Sequence, residues 1–365
     1  MAPVRTLTLL LGLLAGTAAA LPHASTTLAR GLDDPTGIAA LGDGRVLIAE
    51  RGGTLRLVVD GALVDEPVDG VPEVHVRAEA GLLDVAAHPG FPDPGWIYLS
   101  LVQGDQDANT LHVVRGRLDD RTLVDVEAVF SAEPGRRTAV HYGGRLHFLP
   151  DGTLLASVGD GFDYREEAQR PDSHFGALVR IGADGAIPAD NPHRDRDDPG
   201  AAIFSHGHLA ISGLAADPAS GTLWAVEPGP GGGDELNRIT AGGDYGWPVA
   251  SHGPGYSGAR VTPHRSLPGR IDPVHVWERP VEPADLLHFR GDAFPDLRGH
   301  LLMAAQHVPG LLRIEIDGEA VVGIAPVFED LGRSIRAVRQ APDGGLLLLS
   351  SPPEPELLHL APAGD

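Results

Sequence analysis

Short apolar runs recur along this chain, and glycine, proline or an Asp-Gly pair interrupts them before any helical period is established. The first clear unit runs from Gly37-Ile38-Ala39-Ala40 through Asp43-Gly44 to Val46-Leu47-Ile48-Ala49, then to Leu55-Arg56-Leu57-Val58. The same order returns in Arg145–Phe148, Leu154–Ser157 and Leu178–Ile181, with Asp151-Gly152 at the turn. It returns again in 213–216, 223–226 and 236–239, and in 337–339, 346–349 and 357–360. Weaker copies lie at 81–85, 96–99 and 111–114, and at 285–289, 300–303 and 311–314. Each copy predicts strand, tight turn, strand, loop, strand, because Asp-Gly supplies the positive backbone angles of a hairpin. Six such copies predict an all-β, six-bladed β-propeller, in which each blade covers its neighbours. A β-sandwich with chance hairpins is the competing arrangement. Functional groups are expected in the long loops near 103–110, 159–175, 183–204, 227–235 and 252–284.

Composition sharpens this. With 48 Gly and 32 Pro the chain has few places for a helix. Residues 1–20 carry Arg5, an apolar run from Leu7 to Ala15 and the small residues Ala18-Ala19-Ala20, the form of a secretory signal peptide. An uncleaved anchor is the alternative, but the run is short for a bilayer. The expectation is an exported protein, periplasmic or extracellular, with residues 21–365 forming one propeller domain and no membrane insertion. There is no cysteine, which excludes disulfides, thiolate metal sites and cysteine nucleophiles. A formal charge of −22 argues against nucleic acid and anionic membranes as partners. All 28 basic residues are arginine, so Schiff-base and P-loop lysine chemistry are excluded.

One block stands apart. Between Phe204 and Pro248 lies Glu227-Pro228-Gly229-Pro230-Gly231-Gly232-Gly233-Asp234-Glu235. Gly and Pro hold such a chain in tight turns, where backbone carbonyls and a carboxylate can face a hard cation.

Several stretches resemble the soluble PQQ-dependent sugar dehydrogenases (glucose/sorbosone and aldose sugar dehydrogenases). They are Gly81–Pro89, His141-Tyr142-Gly143-Gly144-Arg145-Leu146, Ser173–Gly176 with Val179–Ile181, Pro188–Pro192, and the Phe204–Pro248 block. The resemblance implies a six-bladed propeller, in agreement with the repeats. It also implies oxidation of an aldose at its anomeric carbon, with hydride passing to pyrroloquinoline quinone (PQQ) and on to an external electron acceptor. His141 falls on the position of the catalytic base, and an imidazole suits the task because its ordinary pKa is near working pH. Arg336 is the implied charge-stabilising partner. Calcium is implied twice: beside the cofactor on the carbonyls of Gly229 and Pro230, and structurally at Glu235 and Tyr245. Tyr256 falls where the family has an aromatic near the cofactor.

Other cofactor-facing positions depart from the family pattern. An Arg-Asn pair is replaced by Leu209-Ala210, a Gln by Glu79, the first Arg of an Arg-x-Arg by Ser334, and a basic position by His307. PQQ carries three carboxylates, and each lost charge-assisted hydrogen bond removes roughly 1.5–3 kcal/mol. Arg333, one residue out of register, is a candidate replacement. The sequence therefore leaves two classes open: a sugar dehydrogenase with an altered cofactor pocket, or a propeller without PQQ. The latter would be a ligand-binding protein or a metal-dependent hydrolase using His141, His208, His307 and Glu79.

Overall fold

A computed structural model of the protein describes residues 21–364; the expected signal peptide lies outside them. The strands form six sheets arranged as the blades of a propeller. Every repeat seen in the sequence is the inner three strands of one blade. In the first blade these are Pro35–Ala40, Val46–Glu50 and Leu55–Val59; in the third, Gly143–Phe148, Leu154–Val158 and Ala177–Ile181. The central strand of five blades is buried at every position, as in Val46–Glu50 and Leu346–Ser350. Blades cover it on both faces, so its sequence is a continuous apolar run rather than an alternation.

The sequence does not disclose the fourth strands. Some are very short, such as Ala62–Leu63 and His275–Val276. The sixth blade takes its outer strand from the other end of the chain: His23–Ala29 pairs antiparallel with Leu357–Pro362 and closes the ring. Six hydrophobic clusters fill the six blade interfaces, for example Leu47, Leu55, Leu82 and Leu99 between the first two.

Polar side chains tie the innermost strands together around the channel. Thr36 Oγ1 donates to the Leu82 carbonyl at 3.0 Å, Ser157 Oγ to that of Ile211 at 3.1 Å, and Ser212 Oγ to that of Pro283 at 2.7 Å. Buried Asp84 accepts from the backbone N–H groups of Val85 and Leu146, and buried Asp285 repeats the arrangement with Leu286 and Val338. Arg145 bridges the channel itself. Its Nε reaches the Ser212 carbonyl at 2.8 Å, Nη1 that of Thr36 at 3.1 Å and Nη2 that of Ala284 at 3.2 Å, so one guanidinium joins four blades. Arg145 lines both an upper cavity of about 680 Å³ and a lower one of about 290 Å³.

Candidate active site in the upper channel

The upper cavity is walled by the starts of innermost strands and the loops before them. His141, Glu79, Leu209, Ala210, Gly229, Pro230, Tyr256, His307 and Arg336 all border it. Of the five long loops, 159–175, 227–235 and 252–284 contribute to this cavity or to a side chamber of about 470 Å³ that shares His141, Pro230 and Tyr256 with it. The loops near 103–110 and 183–204 border neither, contrary to the expectation.

His141 has φ of 56°, a left-handed conformation that a non-glycine residue adopts only when its surroundings enforce it. They do so from both sides. Its N–H donates to Glu79 Oε2 at 2.7 Å, and its carbonyl accepts from Arg136 Nη1 at 2.9 Å. Arg136 is buried between the rings of Tyr142 and Phe175, 4.4 and 4.7 Å from their centroids. Burial pulls its pKa down to about 10. Gly159 is required here, since a Cβ would stand 2.1 Å from the His141 carbonyl oxygen.

The imidazole is held as firmly as its backbone. Nδ1 lies 2.7 Å from Oδ1 of Asp160, which is buried and also accepts from Trp247 Nε1 at 2.7 Å and from the N–H of Phe162 at 2.8 Å. A carboxylate with three donors is an acceptor, so Nδ1 carries the hydrogen and Nε2 presents its lone pair to the cavity. There it meets the Tyr256 hydroxyl at 2.7 Å. Partial burial of its hydroxyl end, with the charges of Asp160, Glu79 and Glu282, pushes that phenol up to about 12, so it keeps its proton and donates although its ring is exposed.

The cationic side of the cavity is richer than expected. Arg51 and Arg336 both bond Asp34, at 2.6 and 3.0 Å, and Arg145 lies beside them. Burial, with the repulsion of Arg51 and Arg145 against the single partner Asp34, pulls Arg336 down to about 10. Arg51 and Arg336 share one carboxylate, and two guanidiniums so paired are suited to a polycarboxylate. Glu79 does not simply oppose such a ligand, because one of its oxygens is spent on the His141 N–H. His307 pairs with Glu282 at 3.0 Å.

Two of the expected cofactor contacts are displaced. Ser334 is not in the cavity wall; its hydroxyl donates to the Gln306 carbonyl at 2.6 Å, which turns it into the backbone. Arg333 pairs with Glu356 at 2.7 Å and does not replace it. The hydrolase constellation also fails on geometry. His208 is buried between Ser205 Oγ (2.9 Å) and Glu227 Oε1 (3.0 Å), under the Tyr245 ring, away from His141. Among the described residues no three His, Asp or Glu side chains converge to hold a metal.

Beside the Gly-rich block is a small space of about 20 Å³, roughly the size of one ion or water. It is bordered by Glu227, Gly229, Pro230, Glu235 and Tyr245. Glu227 and Glu235 face each other across adjacent strands. Burial and the Glu227 charge push Glu235 up to about 8. Asn237 donates to Glu227 at 2.9 Å, while its own buried carbonyl oxygen lacks a partner among the described residues. Glu227 is already satisfied, by His208 Nδ1 and Asn237 on Oε1 and by the Leu209 N–H on Oε2. The oxygens left to suit a hard cation such as calcium are those of Glu235 and the neighbouring backbone carbonyls. Asp234 does not add to them, because both its oxygens accept backbone N–H groups of Gly229, Val281 and Glu282. The Tyr245 hydroxyl donates to the Arg238 carbonyl at 2.6 Å, so that residue meets the space through its ring and backbone.

Sequence reading missed Asp160, Trp247, Arg136 and Arg51 as site residues, and named Glu227 only as part of the Gly-rich block. Only Asp160 left a trace, an acid between glycines (Val158-Gly159-Asp160-Gly161) directly after a buried strand.

Fold and site together describe a propeller dehydrogenase: a carboxylate-backed histidine set against an anion-receptive cavity. Residues 32–359 match the Glucose / Sorbosone dehydrogenase family, and the chain belongs to it. It is thereby a sugar dehydrogenase. Over 337 residues it is 35% identical to the aldose sugar dehydrogenase YliI of Escherichia coli, covering 91% of each chain. The apo structure of the soluble E. coli aldose sugar dehydrogenase superposes with a TM-score of 0.87 at 34% identity, over 93% of this chain and all of that one. A PQQ-bound aldose sugar dehydrogenase from Streptomyces coelicolor gives 0.76 at 27% identity, over 94% and 99%.

Proposed function

We propose that this protein oxidises an aldose at its anomeric carbon with PQQ as the electron acceptor and calcium as the associated metal. The observation that supports this most is the His141 Nε2 lone pair, fixed by Asp160 and facing a cavity that also presents Arg51, Arg145 and Arg336. His141 takes the proton of the anomeric hydroxyl through Nε2. Asp160 keeps the other ring nitrogen protonated and stabilises the imidazolium that results. Arg51 and Arg336 would hold carboxylates of the cofactor, and Leu209 and Ala210 would give it an apolar wall. When bound, PQQ supplies the two-electron acceptor for the hydride leaving the anomeric carbon. Gly229 and Pro230 border both the cavity and the small acidic space, so a calcium held by Glu235 and their carbonyls would fasten the cavity wall. The remaining expectations, an external electron acceptor and an exported location, belong to the same proposal. Among the described residues no helix is long and apolar enough to cross a membrane.

Mixing the purified protein with calcium and PQQ is expected to change the quinone absorbance and to start aldose-dependent dye reduction. No binding at micromolar PQQ would defeat the proposal.

Calcium can be tested through stability. In the calcium-free protein Glu235 keeps its proton up to about pH 8, whereas an unfolded glutamate loses it near ~4.3. Its contribution to the folded state is therefore complete below the unfolded value and is lost as pH rises through about 8. Calcium must displace that proton. The gain in thermal midpoint on adding calcium is expected to be small in mild acid and larger above pH 8. Melting curves indifferent to calcium in alkali would exclude the site.

A further inference from the structure

Nothing so far accounts for the Tyr256 hydroxyl on the nitrogen that must receive the substrate's proton. The Nε2 lone pair of His141 lies in the ring plane and accepts one strong hydrogen bond, and Tyr256 already supplies it at 2.7 Å. An anomeric hydroxyl and the phenol cannot both donate there.

The anchoring of the two bonds to His141 is unequal. Asp160, on Nδ1, is 1% exposed and accepts from three groups. Tyr256 is 61% exposed, and its hydroxyl has no hydrogen bond besides that to Nε2 among the described residues. Its ring has only tilted contacts with Phe162 and His141, at centroid distances of 5.6 and 5.7 Å. It sits on a short projecting turn, closed by Gly255 N–H to the Ala259 carbonyl at 2.7 Å and by a bridge between Pro254 and Arg260. The base of that turn is fixed: Gly253 packs so closely on the Gly-rich block that a Cβ would lie 1.7 Å from the Gly232 oxygen. A fixed base and a lightly held tip allow the ring to swing while the loop stays in place. The ring also stands at the junction of the upper cavity and the side chamber, where the reacting carbon must come to reach Nε2.

We propose that Tyr256 is a positioning residue whose hydroxyl holds the place of the sugar's anomeric hydroxyl on His141 Nε2 and yields it when substrate binds. In the empty site the phenol donates to Nε2, keeps the ring in the tautomer that can accept a proton, and shields it from solvent. Substrate binding exchanges one hydrogen bond for another of the same kind. This rests on His141 being the base, and the test separates the two ideas.

The measurement is the rate at which diethyl pyrocarbonate modifies His141 in the cofactor-free protein, followed by peptide mass spectrometry with exposed His264 as internal reference. In Tyr256→Phe the ring stays and the cap goes, so His141 is expected to react about 2- to 10-fold faster, in line with the loss of one net hydrogen bond. Tyr256→Ala should react at least as fast. In steady-state assays of the PQQ-loaded protein, Tyr256→Phe is expected to lower the aldose KM by a similar factor. Unchanged labelling in both variants overturns the proposal. A KM that rises in Tyr256→Phe also overturns it, because the hydroxyl would then be a substrate ligand. Loss of all sugar oxidation in every protein would instead remove the base assignment, while the labelling rates still report on the cap.

Discussion

Replacing His141 by alanine is expected to lower kcat for aldose oxidation by roughly 10²–10⁴-fold, the usual range for removal of a general base. The loss should fall on kcat, because the arginines and the other walls of the upper cavity are untouched. PQQ absorbance should confirm that the variant still loads. Asp160→Ala is expected to reproduce a large part of the effect. It frees Nδ1, leaves the buried Trp247 N–H without its partner, and lets the imidazole turn or change tautomer. Steady-state dye reduction under saturating quinone measures both. Activity within a few-fold of the parent in His141→Ala would show that the proton leaves by another route.

Arg145→Met carries the second large effect, on stability. The substitution keeps an unbranched side chain of similar reach but removes bonds to the carbonyls of Thr36, Ser212 and Ala284. It also deprives buried Asp84 of a cation 3.5 Å away. Breaking a buried charged network in this way costs about 3–5 kcal/mol. The expected result is a clear fall in the guanidinium midpoint with far-ultraviolet dichroism otherwise intact. A change below about 1 kcal/mol, the worth of one ordinary hydrogen bond, would mean that the channel bridge is incidental to the fold.

Legibility in the sequence followed the range of the interactions. Hairpins are local, so Asp43-Gly44 and Asp151-Gly152 disclosed them, and central strands buried on both faces disclosed themselves as unbroken apolar runs. Outer strands include the two residues of Ala62–Leu63 and the eight of Ala320–Val327, share no common pattern, and exist because a neighbour offers an edge. His23–Ala29 cannot be read without Leu357–Pro362. The same divide runs through the site. His141 was found through its motif, but Asp160 and Trp247 lie 19 and 106 residues away by number and are joined to it only by folding. Glu79 read as a charge opposed to the cofactor, whereas it secures the His141 backbone. Ser334 read as a cofactor position, yet one hydrogen bond to Gln306 turns it aside. Arg145 stood inside a quoted motif, but no spacing announces a side chain that reaches three other blades.

The shared sixth blade bears on how the molecule is made. Its outer strand comes from the beginning of the chain and its other three from the end, so the ring cannot close until nearly all residues are present. Contacts of such sequence separation form late and slowly. A product of interrupted synthesis that lacks Leu357–Pro362 would leave the strand 346–350 and the first strand with bare edges. Such edges invite aggregation or proteolysis rather than function. Arg336, which lines the upper cavity, lies in the same late blade. The circular architecture thus makes the stability of the ring and the shape of its cavity depend together on one long-range pairing, that of His23–Ala29 with Leu357–Pro362.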